Sequence, residues 1–230
     1  MRHFDGFPHD LYPFLRELAK NNNRAWFQDN KQRYQEAILE PGMAFIEAIG
    51  ERLHEVSPHF RAIARSNGGS MFRIYRDARY TRDGRPYKEN IGFHFRHERG
   101  RDVHAPGYYV HIEPEKIFIG CGIWMPPSAS LARIRAFIDD NPAAWKRARD
   151  DSRMRRRFGD LEGEQLKRPP RGYKADHPLI EDLKRKSFHV MQQHEPQLAN
   201  TPELVEEAIA AFRDAAPVMA YLCMALDVDY

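Results

Sequence analysis

Residues 108–124, YYVHIEPEKIFIGCGIW, carry the clearest structural pattern in this chain. Apolar side chains recur with a period of two on both sides of Glu113-Pro114-Glu115. This spacing predicts two β-strands, Tyr108–Glu113 and Lys116–Trp124, joined by a tight turn. Upstream, Ile91-Gly92-Phe93-His94-Phe95 alternates in the same way and predicts a neighbouring strand. Strands that follow one another through short connections favour an antiparallel sheet.

Helical periodicity precedes this sheet. Apolar spacing predicts one helix beginning near Pro8, a second from Trp26 to about Pro41, and a third that stops before Ser57. Asn21-Asn22-Asn23 offers an N-cap between the first two helices. After Gly68-Gly69 the period shortens, and Met71–Tyr75 is predicted as a strand.

Further helical patterns follow the sheet. Ser128 begins one predicted helix, and Ser187–Met191 predicts another strand. Thr201 and Pro202 are typical of a helix start, and this last helix is predicted to reach about Leu226. Helices, then an antiparallel sheet, then helices again is the α+β pattern. Since no flexible linker interrupts the chain, residues 1–230 are predicted to form a single domain.

Composition restricts the classes of function. The 230 residues carry a formal net charge of only +3, whereas a dedicated nucleic-acid binder usually has a clearer basic excess. The cysteines, Cys121 and Cys223, have no Cys-x-x-Cys spacing for zinc or dithiol chemistry. The N-terminal residues lack the apolar core of a signal peptide, and no apolar run is long enough to cross a bilayer. We therefore expect a cytoplasmic protein without a membrane partner.

The most unusual local pattern lies within Met71–Gly92, where a basic residue recurs at every third position. These residues are Arg73, Arg76, Arg79, Arg82, Arg85 and Lys88. A strand cannot place all of them on one face, and Gly84 and Pro86 oppose a helix. Arginine binds phosphate or carboxylate in a bidentate way, and the interleaved tyrosines could stack on a base or a sugar. Alternatively, Asp77, Asp83 and Glu89 pair with the arginines in a solvated loop.

Two histidines add a second candidate group. If the strands that carry His94 and His111 pair, the two imidazoles share one sheet face, and Glu113 lies on the same face as His111. No His-x-His or His-Glu-x-x-His spacing supports a metal site, so none is predicted. General acid–base chemistry by His111 is favoured over a metal site, and the alternative is a hydrogen-bonded histidine on a half-buried sheet.

A second cluster of arginines lies further along the chain. Its members are Arg153, Arg155, Arg156 and Arg157, with no interleaved aromatic residue before Phe158. This composition is typical of a solvated helix face.

Four separated blocks of the chain resemble one known family. They are Leu15 to Tyr34 with Trp26-Phe27, Arg76 to Gly92 with Pro86-Tyr87-Lys88, Tyr108 to Gly122, and Lys167 to Phe188 with Lys167-Arg168-Pro169-Pro170-Arg171-Gly172. Together they resemble the bacterial conserved-hypothetical family called domain of unknown function 2461, over about Phe7 to Met224. The resemblance implies one compact domain and no substrate, cofactor or catalytic residue.

The leading hypothesis is a domain that binds or acts on a phosphorylated or carboxylated molecule. Its predicted catalytic residues are Asp77, Tyr87 and His111. Its predicted ligand-binding residues are Arg76, Arg79, Lys88, Asn90, Lys174, His177, Lys184 and Lys186. A nucleic-acid-binding module and a structural or interaction protein with internally paired arginines are the alternatives. The cofactor, the reaction class and the oligomeric state stay open, and so does the question of whether the chain is an enzyme.

Overall fold

The computed structural model describes residues 3–77, 84–100 and 105–230. Its α-helices are α1 (Leu11–Lys20), α2 (Arg24–Asp29), α3 (Lys31–Tyr34), α4 (Glu40–Leu53), α5 (Ser128–Asp140), α6 (Pro142–Arg149), α7 (Ser152–Phe158), α8 (Ile180–Leu183), α9 (Glu203–Asp214) and α10 (Ala216–Ala225). A π-helix, Gln35–Leu39, joins α3 to α4, and a 3-10 helix, Pro196–Asn200, precedes α9. The strands are β1 (Phe60–Arg61), β2 (Ile91–His97), β3 (Gly107–Glu113), β4 (Lys116–Ile123) and β5 (Phe188–His194).

The strands form one antiparallel sheet in the order β1-β2-β3-β4-β5. Glu113 pairs with Lys116 across the predicted turn, and His94 pairs with Tyr109 in the neighbouring ladder. The predicted strands Ile91–Phe95, Tyr108–Glu113, Lys116–Trp124 and Ser187–Met191 are therefore present, with small shifts at their ends. With helices before and after the sheet, the α+β prediction is confirmed.

One face of the sheet packs against the helices and forms the core. Phe93 of β2 lies edge-on to Phe45 of α4, with ring centroids 4.9 Å apart. Tyr108 of β3 stacks on Phe212 of α9 at 4.4 Å. Alternate residues of β3 point to this face, because strand side chains point to opposite faces in turn. The other face of the sheet is consequently free to carry polar residues and glycines.

Most predicted helices exist, but several of their limits were wrong. Asn23 caps α2 as predicted, since its side chain accepts from the Trp26 N–H at 3.0 Å. Pro8 lies before the turn that leads into α1, and Pro41 lies in the first turn of α4, where a missing N–H costs little. The predicted single helix from Thr201 to Leu226 is two helices, bent by 56° at Ala215.

The predicted strand Met71–Tyr75 was also wrong. This segment makes two short pairings with different partners. The Phe72 N–H donates to the Gly92 carbonyl oxygen at 2.9 Å, beside β2. Further along, the Lys88 N–H donates to the Ile74 carbonyl at 2.7 Å, and the Arg76 N–H donates to the Pro86 carbonyl at 2.9 Å. The segment therefore leaves the sheet after Phe72 and pairs with residues 86–88 instead.

Among the described residues, no single helix has the length and apolar composition needed to cross a membrane. The bent pair α9 and α10 reaches that length and composition only when the two helices are taken together.

Candidate functional site

A pocket of about 390 Å³ lies on the sheet face opposite the core. Its size is within the range of small-molecule sites. The lining side chains are aromatic rings, imidazoles and one thioether from five neighbouring segments, with glycines between them. They are Phe72, His94, Gly107, Tyr109, Phe118, Gly120, Gly122, Trp124, His189 and Met191, together with Cys121.

Glycines make the space for two of these side chains. A Cβ atom on Gly92 would lie 2.5 Å from the Tyr109 hydroxyl oxygen, and one on Gly107 would lie 2.3 Å from Nε2 of His94. Any larger residue at either position would displace the ring that lies above it. The glycines of β2 and β3 therefore determine where Tyr109 and His94 sit.

Tyr109, His111 and Glu113 form a hydrogen-bonded series along β3. The Tyr109 hydroxyl lies 3.1 Å from Nδ1 of His111, and Nε2 of His111 lies 3.2 Å from the Glu113 carboxylate. The three residues are two positions apart, so the strand places all of them on the pocket face. Both nitrogens of the His111 ring are engaged in this way.

Burial controls the protonation of these groups. Desolvation lowers the pKa of His111, although Glu113 acts in the opposite direction. Desolvation and nearby Arg185 lower the pKa of His189, whose buried Nδ1 has no hydrogen-bond partner among the described residues. Burial raises the pKa of Tyr109 to about 12, with a smaller contribution from Glu113. Burial thus disfavours the imidazolium forms of His111 and His189 and the phenolate form of Tyr109.

Lys88 is a cation beside this pocket. Its ammonium lies 5.2 Å from the centroid of Phe72, which lines the pocket. Burial, and secondarily the charge of Arg73, lower the pKa of Lys88. In the described part of the chain, no carboxylate forms an ion pair with this ammonium. A half-buried cation of this kind favours a bound anion.

Trp124 stands at the rim of the pocket. It follows β4 directly, and 61% of its surface is exposed. The next residue, Met125, has a φ of 44°, a left-handed conformation that is uncommon outside glycine. The buried Ser187 hydroxyl accepts from the Met125 N–H at 2.8 Å. This bond holds the turn that leaves the Trp124 ring exposed.

Comparison with family models gives one match. Residues 10–221 match the model described as conserved hypothetical protein (DUF2461). The chain belongs to the DUF2461 family. This match confirms the resemblance seen in the sequence. No curated protein and no solved structure matched the chain.

In this DUF2461 member, the predicted anion-binding residues on the β2 side of the sheet are only partly described. Arg76 is half-buried and Asp77 is exposed, next to the undescribed residues 78–83. Arg79 lies outside the described residues. Asn90 is half-buried just before β2. Lys88 is the predicted ligand residue that lies beside the pocket.

Tyr87, which we expected to supply a hydrogen bond or a proton, occupies a packing position. It is 1% exposed and stacks on Phe27 with centroids 4.1 Å apart. Its backbone N–H donates to the Asn22 side chain at 3.0 Å. The structure therefore gives Tyr87 a role in the core and not in the pocket.

The predicted ligand-binding residues from the C-terminal half of the chain do not line the pocket. Lys184 pairs with Glu181 at 2.9 Å, and Lys186 pairs with Glu164 at 2.8 Å. His177 and Lys174 lie in the segment before α8, with His177 2.9 Å from Asp139 and Lys174 exposed. Lys184 and Lys186 come just before β5, which is separated from β2 by two strands.

Much of the pocket was not foreseen from the sequence. Tyr109 was detectable, because it is two residues before His111 in an alternating strand and so shares its face. The expected shared face of His94 and His111 is confirmed by the register, which pairs His94 with Tyr109 and Gly92 with His111. Phe72, Trp124 and His189 come from distant segments, and no sequence spacing relates them. Within the described ranges, no group of three or more His, Cys, Asp or Glu side chains could hold a metal ion.

Proposed function

We propose that this protein binds a small planar molecule that carries an acidic group. The planar part lies in the sheet-face pocket, and the acidic group contacts Lys88. The observation that carries this proposal is the juxtaposition of a pocket of about 390 Å³ with a half-buried ammonium that has no carboxylate partner among the described residues.

The pocket walls favour a flat ligand. Phe118 and Tyr109 lie 5.7 Å apart, and Phe72 and Tyr109 lie 5.9 Å apart, measured between ring centroids. Aromatic rings in offset or edge contact add about 0.5–1.5 kcal/mol each beyond the area they bury. A planar ligand can exploit several of these rings at once, whereas a flexible aliphatic chain loses entropy on ordering.

The charge of Lys88 is the reason for proposing that the ligand carries an acidic group. The Lys88 ammonium loses hydration on burial and gains no carboxylate partner among the described residues, and burial is the main reason that its pKa is lowered. A carboxylate or phosphate on the ligand would supply that counter-ion. The lysines on the C-terminal side offer no such opportunity, because Lys184 and Lys186 already have carboxylate partners.

The test compares an acid with its neutral analogue. We expect the wild-type protein to bind 2-naphthoate at least about tenfold more tightly than 2-naphthamide, a difference of about 1.4 kcal/mol. Lys88→Met should bind both compounds equally. Lys146→Met is the matched control, since this exposed lysine of α6 should keep the wild-type preference. Isothermal titration calorimetry measures both affinities.

Equal binding of acid and amide by the wild-type protein would remove the acidic group from the proposal. If neither 2-naphthoate nor 2-naphthamide binds, and no other planar acid of similar size binds, the proposal as a whole is contradicted. Retention on DNA or RNA with a steep loss of affinity in salt would favour the nucleic-acid alternative instead.

A further inference from the structure

The polar series along β3 continues beyond the three residues at the pocket. The second carboxylate oxygen of Glu113 lies 3.4 Å from the Lys116 ammonium. The His111 ring stacks on Phe118, with centroids 4.6 Å apart and planes inclined by only 11°. These contacts restrict the positions of the Glu113 carboxylate and the His111 ring, and so help to keep both side chains within hydrogen-bonding distance along the series.

The direction of the hydrogen bonds follows from the chemistry of the three groups. An ionised Glu113 can only accept, so Nε2 of His111 must carry the proton of that contact. In a neutral imidazole the other nitrogen, Nδ1, is then an acceptor, and the Tyr109 hydroxyl donates a hydrogen bond to it. The oxygen of Tyr109, a residue that lines the pocket, can then still accept a hydrogen bond from a second donor.

We propose that this series makes the pocket a site of proton abstraction, with Tyr109 as the catalytic residue and His111 and Glu113 as its relay. The proposal rests on the proposed function, since it acts on the same bound molecule. An O–H or N–H group of the ligand gives its proton to the Tyr109 oxygen as the Tyr109 proton moves to Nδ1 of His111. The bond electrons stay on the ligand, which becomes an anion beside Lys88, while His111 becomes an imidazolium beside Glu113.

The energetics require the two proton movements to be coupled. The pKa of Tyr109 is raised to about 12, so a free phenolate is an unfavourable intermediate in this environment. Coupled transfer avoids that intermediate, because the tyrosine oxygen never carries a full charge. Burial lowers the pKa of His111, so its imidazolium forms only where Glu113 on one side and the new ligand anion on the other offset the desolvation.

The probe for this step is 4-nitrophenol, a planar acid whose phenolate absorbs visible light. At about pH 6.5 the free phenol is mostly un-ionised. We expect the wild-type protein to raise the ratio of phenolate to phenol by about tenfold on binding, which corresponds to one pKa unit. Because the abstracted proton stays on His111, binding should release almost no proton, as calorimetry in two buffers of different ionisation enthalpy would show.

Three variants distinguish proton transfer through the relay from the alternative that Lys88 alone favours binding of the phenolate form. Tyr109→Phe and His111→Gln should bind 4-nitrophenol without the absorption band of the phenolate. If the band persists in either variant, binding should release a full proton to solvent, because the relay can no longer hold it. Glu113→Gln should give an intermediate effect. His54→Gln is the control, since His54 is exposed at the end of α4 and should behave as wild type. Circular dichroism confirms that each variant is folded.

Wild-type binding of 4-nitrophenol with an unchanged ionisation ratio would overturn the relay and leave the binding pocket standing. A phenolate band in Tyr109→Phe with the wild-type proton balance would also overturn it. If neither 4-nitrophenol nor 2-naphthoate binds, the pocket and the relay are both refuted.

Discussion

Gly122 shows how strongly single residues shape the pocket floor. Its backbone has a φ of +136°, and a Cβ there would lie 2.2 Å from the Phe188 carbonyl oxygen of β5. Gly120, two residues earlier on the same strand and face, is different. A Cβ on Gly120 would have Cγ of Met191 as its nearest neighbour, at 3.6 Å, which is ordinary contact. These two glycines of β4 therefore have different tolerance for a side chain.

We expect Gly122→Ala to lower the free energy of unfolding by about 2 kcal/mol, because both the backbone conformation and a backbone neighbour oppose the added methyl. Gly120→Ala should change it by less than about 0.5 kcal/mol. Urea denaturation measures both values. Equal stability of the two variants would contradict this assignment.

Tyr87 and Lys88 are a second case at the residue scale. Both fell within one predicted functional stretch, yet Tyr87 packs on Phe27 and Lys88 lies over Phe72. Sequence alone shows that both residues occur within the basic stretch. It does not show that Phe27 of α2 lies within stacking distance of Tyr87, since 60 positions separate them.

At the scale of elements, Arg157 joins three parts of the fold. Its guanidinium lies 2.6 Å from Asp214 of α9, contacts Glu207 of the same helix, and donates to Gln192 of β5 at 2.9 Å. Its side chain is only 18% exposed. The interpretation of residues 153–157 as a solvated basic helix face was therefore wrong for Arg157, because α9 supplies two carboxylates at this position.

We expect Arg157→Met to lower the free energy of unfolding by about 2–4 kcal/mol, since it leaves Glu207 and Asp214 partly buried without a counter-charge. Arg153→Met is the matched control from the same helix. Its side chain is 62% exposed and lies 4.0 Å from Asp151, so the loss should be below about 0.5 kcal/mol. Chemical denaturation of both variants tests this, and similar losses would show that α7 and α9 are not joined through this residue.

At the scale of the whole molecule, buried imidazoles link stability to pH. Desolvation is the largest cause of a lowered pKa at four histidines. They are His97, His111, His189 and His194. When the folded state lowers the pKa of a histidine, the unfolded state binds more protons as the pH falls below the ordinary value of about 6.5. The free energy of unfolding is then unaffected by these histidines above about pH 6.5. It decreases as the pH falls below that value towards the pKa values of the folded state.

We therefore expect the free energy of unfolding to decrease between about pH 6.5 and pH 5, before most carboxylates titrate. His189→Gln should make this decrease shallower, because it removes one of the contributing imidazoles. Urea denaturation across this pH range measures the slope. Constant or rising stability towards pH 5 would contradict the expectation.

The central strands, the antiparallel pairing of residues 91–123 and the α+β class could all be predicted from the sequence. These features depend on a period of two and, for β3 and β4, on a tight turn, which are local properties. The composition of the pocket could not be predicted in this way. Phe72, Tyr109, Trp124 and His189 meet because strand pairing determines which distant segments become neighbours, and that pairing depends on the burial of the opposite face against α4 and α9. Lys88 was recognisable as a cation in the sequence, but its place over Phe72 and beside the pocket came from the folded chain.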